Sequence, residues 1–167
     1  MKESSRTAIV TGGNRGLGFE TCRRLAQENM GVVLTSRSGK EGRAATDLLR
    51  GEKLDVVYHP LDVTRSPQID QLYQSVVSHY GRLDILVNNA GVFLDEGRPV
   101  VMENLRESGA FEADLAVLRQ SIEINTVGTF CMCQKFIPLM KDHDYGRVVN
   151  VSSGMAQLAL MGPGWPA

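Results

Sequence analysis

Short runs of residues that are apolar on both faces alternate along this chain with stretches whose apolar positions recur at helical spacing. The runs are Ala8-Ile9-Val10, Val32-Val33-Leu34, Val56-Val57-Tyr58, Ile85-Leu86-Val87 and Arg147-Val148-Val149-Asn150-Val151. A strand that is apolar on both sides, rather than alternating, is what a parallel sheet covered by helices requires. Between the runs, Gly18, Cys22, Leu25 and Ala26 fall at i, i+4, i+7 and i+8, and Ala44, Ala45, Leu48 and Leu49 mark a second helix. Ile69, Leu72, Tyr73, Val76, Val77 and Tyr80 make the clearest amphipathic helix. Ser66-Pro67 reads as its start, with a side-chain oxygen for free N–H groups and proline at the first helical position. The pattern predicts an α/β fold whose open parallel sheet is ordered 3-2-1-4-5.

The pattern is weakest from Val92 to Gln120, where Gly97, Pro99 and Gly109 interrupt it. A loop is expected there, then a helix from near Phe111 that breaks around Ser121. A longer helix is expected from about Glu123 to Lys141, with Val127, Phe130, Cys131, Gln134 and Ile137 on one side and Pro138 kinking it or ending it early. Ser152-Ser153-Gly154 forms the loop at the carboxyl end of the fifth strand, and Met1 to Arg6 is a polar, frayed start.

Composition narrows the function classes. The 167 residues fit one domain, and 43% hydrophobic residues, 22% charged residues and a net charge of −1 are those of an ordinary globular protein. Nothing in them points to nucleic acid or to a membrane. Three cysteines, with no signal-peptide core and no long apolar span, fit a reducing, cytoplasmic setting. Cys131-x-Cys133 lacks the histidine or second cysteine pair that would complete a metal site, so all three cysteines read as buried structural thiols and no metal is expected.

The candidate chemistry begins at Thr11-Gly12-Gly13-Asn14-Arg15-Gly16-Leu17-Gly18, between the first strand and the first helix. Glycine tolerates positive φ and has no Cβ, so Gly12, Gly16 and Gly18 let the backbone turn sharply and approach a pyrophosphate at the positive end of a helix. The spacing is G-x-x-x-G-x-G. Its place at the start of a βαβ unit, more than its letters, points to a dinucleotide. After the second strand an acidic residue would accept from a ribose 2′-hydroxyl, whereas a cation would meet a 2′-phosphate. This chain has Arg37 there and Arg15 in the glycine turn, which favours NADP(H) over NAD(H) unless both are solvated surface arginines. Asp62 ends the third strand, as an acceptor for an adenine amino group or as a turn former. Asn88 and Asn89 end the fourth, where they cap a turn or stand beside a cofactor with Ala90 and Gly91.

Together Thr11-Gly12-x-x-x-Gly16-x-Gly18, Asp62, Asn88-Asn89-Ala90-Gly91, Asn125 and Asn150-Val151-Ser152-Ser153 stand in the order and approximate spacing of the short-chain dehydrogenase/reductase family. The wording of the glycine turn, the long Val92 to Gln120 segment and Gly164-Trp165-Pro166 most resemble the carbonyl-reductase branch. The resemblance implies a Rossmann-type three-layer αβα domain over residues 1–167. It also implies hydride transfer between the nicotinamide of NADP(H) and a small carbonyl or alcohol substrate. Its cofactor contacts fall on Gly12, Asn14, Arg15, Gly16, Leu17, Gly18, Arg37, Asp62, Val63, Asn89, Ala90 and Gly91. Its catalytic asparagine and serine fall on Asn125 and Ser153. The serine would hydrogen-bond the reacting oxygen, while a tyrosine moves the proton and a lysine lowers the tyrosine pKa and holds the ribose.

The departure concerns that last pair. Residues four places after Tyr58, Tyr73, Tyr80 and Tyr145 are Asp62, Val77, Asp84 and Val149, so no Tyr-x-x-x-Lys occurs. The family's tyrosine would fall at or just beyond Ala167. The helix carrying the lysine, the sixth and seventh strands and the substrate loop are likewise expected to be missing. Two readings follow: the N-terminal portion of an NADP(H)-dependent oxidoreductase, inactive alone, or a truncated non-catalytic binding or interaction module. Val148, Val149 and Val151 would then border an open sheet edge that invites self-association. The intact parent is expected to form a homo-oligomer.

Overall fold

The computed structural model describes residues 6–92 and 114–153. Five parallel strands lie in the order β3-β2-β1-β4-β5, as the alternation of apolar runs and helices predicts. They are β1 (Thr7–Val10), β2 (Gly31–Ser36), β3 (Val56–Pro60), β4 (Ile85–Asn88) and β5 (Arg147–Asn150). Register is set by pairs such as Val10 with Leu34 and with Val87, and Asn88 with Asn150. Helices α1 (Gly16–Gln27), α2 (Gly39–Gly51) and α3 (Ser66–Tyr80) connect the first four strands.

Alternate side chains of each strand feed two separate cores, which is why the runs are apolar on both faces. Ala8, Val10, Val32 and Leu34 pack on Cys22 and Ala26 of α1 and on Ala45 and Leu49 of α2. Ile9, Val33 and Leu86 face the other way, toward Ile69, Leu72 and Val76 of α3 and toward Met132, Phe136 and Leu139 farther along the chain. Burial pushes the Cys22 thiol up to about 12, so it is an inert apolar group at neutral pH. Cys131 and Cys133 are only partly buried, less enclosed than expected, because they sit on the flank of their helix.

Three local expectations are corrected. Ser66 does not cap α3: Arg65 holds the cap position with no side-chain hydrogen bond, and the preceding turn is closed instead by Asp62 and Gln68. The helix does not break at Ser121. From Leu115 it runs without interruption through α4 (Leu115–Ile122), a π-helical segment (Glu123–Gly128) and α5 (Thr129–Lys141). Any start near Phe111 lies outside the described residues. Pro138 also stands inside α5, which continues to Lys141.

The face of this helix that meets the sheet is not the one expected. Ile124, Gly128, Met132, Phe136, Leu139 and Met140 are buried, whereas Phe130 is 62% and Val127 37% exposed. A π turn takes in more residues than an α turn, so it rotates the stripe in mid-helix. Gly128 makes the approach possible, because a Cβ there would lie 2.6 Å from Val63 Cγ2. Among the described residues β5 is an edge strand, with Val148, Val149 and Val151 about half exposed.

Candidate functional site

The carboxyl ends of β1, β2, β3 and β4 open on one crevice of about 820 Å³. Its floor is the glycine turn. Gly12 and Gly16 adopt φ of +65° and +56°, a region that side-chain-bearing residues rarely enter. Gly18 is required for space, since a Cβ would stand 2.4 Å from both Asn89 Nδ2 and the Gly12 carbonyl oxygen.

The turn is anchored to β4, not only to its own helix. Thr11 Oγ1 accepts from the backbone N–H groups of Asn89 and Ala90, each at 2.9 Å. Asn89 Nδ2 donates to the carbonyl oxygens of Thr11 at 2.9 Å and Gly12 at 3.1 Å. The Asn89 side chain therefore shapes the cradle from behind. Asn88 turns the other way and donates to Asn150 Oδ1 at 2.9 Å, tying the ends of β4 and β5 together.

Helix α1 begins at Gly16 with Arg15 at its cap position and no side-chain capping bond, and no acidic residue occupies its first turn. The first N–H groups of a helix have no partner within the helix and carry its positive end. Here they open on the crevice beside Arg15, Leu17 and Gly18. Arg37 enters from the end of β2. Asp62 and Val63 enter from the end of β3. Partial burial tends to raise the Asp62 carboxyl, but two hydrogen bonds from Thr64 and the charges of Arg37 and Arg65 hold it below the ordinary aspartate value.

All the residues expected to contact a cofactor, from Gly12 to Gly91, line this crevice, and Thr35, Ser36, Ser38, Glu41, Leu61, Val92 and Ile124 join them. Glu41 was not legible as a lining residue: its Oε2 accepts from Asn14 Nδ2 at 2.9 Å across 27 residues of sequence. The one local signal was the spacing Ser38-x-x-Glu41, a helix-start pattern, and Ser38 does accept from the Glu41 N–H at 3.3 Å. A smaller recess of about 370 Å³, lined in part by Arg37, Asp62, Arg119 and Glu123, continues the crevice toward α4.

Asn125 and Ser153 are not in the crevice wall. Asn125 lies in the π-helical segment with both amide atoms engaged: Oδ1 accepts from the Val92 N–H and Nδ2 donates to the Val92 carbonyl oxygen, each at 2.8 Å. It clamps the strand-four loop just after Gly91, so its side chain sets where the crevice ends. Ser153 follows β5 at the same carboxyl end of the sheet and is exposed.

The chain and its fold are similar to those of known proteins. A family model described as short chain dehydrogenase matches residues 6–164. The chain belongs to this family. Its (+)-neomenthol dehydrogenase relative from Arabidopsis thaliana is 41% identical over 170 residues, covering 94% of this chain and 56% of that protein. The NADPH carbonyl reductase 3 of Rattus norvegicus is 38% identical over 156 residues, covering 92% of this chain and 50% of that one. A metagenomic short-chain oxidoreductase solved in complex with NADP is 28% identical, with a TM-score of 0.77 over 90% of this chain and 63% of that one. The chain thus spans about half the length of the curated short-chain relatives it matches. Among the described residues no helix is long and apolar enough to cross a membrane.

Proposed function

We propose that the crevice binds NADP(H) and serves hydride transfer to or from a small carbonyl or alcohol substrate in the cytoplasm. The observation that carries this reading is the uncapped first turn of α1, opening between Arg15 and Arg37 onto a space of dinucleotide size. The N–H groups of that turn hold the pyrophosphate, and Arg37 forks onto the 2′-phosphate. Asp62, kept ionised by Thr64 and its arginine neighbours, accepts from the adenine amino group through its remaining lone pairs. When bound, the nicotinamide supplies or accepts the hydride. Asn125 fixes the Val92 backbone at the reacting end, and Ser153 donates a hydrogen bond to the substrate oxygen.

Arg37→Ala tests the cofactor assignment. NADPH affinity is expected to fall by about tenfold or more, the scale of a lost charge-assisted hydrogen bond, while NADH affinity changes far less. Titrating the nucleotide fluorescence of both cofactors measures this, and equal losses for both would remove Arg37 from the 2′-phosphate.

These 167 residues contain no Tyr-x-x-x-Lys, and Asn125 and Ser153 alone give no proton donor of suitable pKa. A polypeptide of these residues is proposed to bind NADPH without reducing ketones, which is also the behaviour of a non-catalytic binding module. Steady oxidation of NADPH across a panel of ketones, by protein of verified mass, would contradict it. The exposed Leu115, Leu118, Ile122 and Phe130 along α4 and α5 are proposed to favour self-association.

A further inference from the structure

Glu41 introduces a negative charge into a crevice otherwise built to receive anions. It lines the wall with Arg15, Arg37 and Ser38. Its carboxylate is held by Asn14 of the glycine turn, and its backbone N–H by Ser38 at the start of α2. The position at a helix start explains part of this, since the positive end of α2 favours a carboxylate. It does not explain the tie to Asn14, which orients the carboxylate over the glycine turn. Among the described residues Glu41 makes no ion pair with Arg15, Arg37 or any other cation. Its charge, unneutralised by a cation, belongs to the crevice wall that Arg37 also lines.

We propose that Glu41 is a specificity-determining residue that narrows the preference for a 2′-phosphate over a 2′-hydroxyl on the bound dinucleotide. The inference rests on the reading of the crevice as an NADP(H) site. A 2′-phosphate beside Arg37 gains the guanidinium and meets the carboxylate, whereas a 2′-hydroxyl carries no charge for the carboxylate to repel. Arg37 alone would select strongly for NADP(H). The fixed carboxylate offsets part of that selection, and the site accepts NAD(H) within reach of NADP(H).

The test compares NADPH and NADH affinities, by fluorescence titration, for the wild-type chain, Glu41→Gln and Glu41→Ala. Glutamine keeps an oxygen for Asn14 and removes only the charge. The ratio of NADPH to NADH affinity is expected to rise about fivefold in Glu41→Gln, the scale of one partly solvated charge contact. The gain is expected to shrink at high salt. Glu41→Ala also loses the tie to Asn14, so both affinities fall while the ratio still rises. A ratio that stays unchanged or drops in both variants, with the wild-type chain binding both nucleotides, overturns the role of Glu41 and leaves the cofactor reading standing. A wild-type chain that binds neither nucleotide overturns both.

Discussion

Gly18→Ala is expected to lower NADPH affinity by about 100-fold and to destabilise the fold by about 1–3 kcal/mol, the usual range for overpacking a site that cannot relax. The added methyl group would stand 2.4 Å from two atoms that cannot move independently. One is the Gly12 carbonyl oxygen, part of the turn itself. The other is Asn89 Nδ2, already committed to the Thr11 and Gly12 carbonyl oxygens. Relief requires the glycine turn to lift from β4, which carries the first N–H groups of α1 away from the position proposed for a pyrophosphate. Gly51→Ala is the matched control. It ends α2 with open space around it, so alanine is expected to raise stability slightly and leave binding unchanged. Urea unfolding and nucleotide titration on the two variants separate these outcomes. Wild-type affinity in Gly18→Ala would show that the turn is not the cradle.

The largest loss of stability is expected at Asp84, which is fully buried immediately before β4. Its carboxylate accepts from the Thr7 N–H at 2.8 Å and pairs with the mostly buried Arg82. Its backbone bonds both to Thr7 of β1 and to Arg147 of β5. Asp84→Ala strands the Thr7 N–H and leaves the Arg82 guanidinium without its partner, at an expected cost of about 3–5 kcal/mol. For a domain whose whole stability is about 5–15 kcal/mol, that is enough to populate unfolded chains. Asp84→Asn keeps an acceptor for Thr7 and should lose less. Denaturant midpoints would measure the series, and equal losses for alanine and asparagine would place the effect in the Arg82 pair alone.

The layered sheet was legible in the sequence because a parallel strand buried on both faces has no alternative pattern: Ala8-Ile9-Val10 must divide between two cores, and it does. The glycine turn was legible for the same kind of reason, since its conformation admits few residues. The long helix was misread because its π-helical segment shifts the apolar stripe at Glu123–Gly128, and because exposed residues such as Phe130 imitate a buried face. Two side-chain roles were hidden by distance along the chain. Asn125 finds both of its partners on the Val92 backbone, and Glu41 finds Asn14, contacts that no local spacing encodes.

The Thr11–Asn89 anchor also constrains how the protein is made. The residues it joins are 78 apart, and the neighbouring β1 and β4 pair only after β2, β3 and their helices have been laid down between them. Closing such long loops costs chain entropy before any contact rewards it, so the fold belongs to the slow end for its size. A chain emerging from the ribosome carries its glycine turn well before Asn89. The turn stays unanchored until Asn89 has emerged and docked on it, and the crevice comes into being only then.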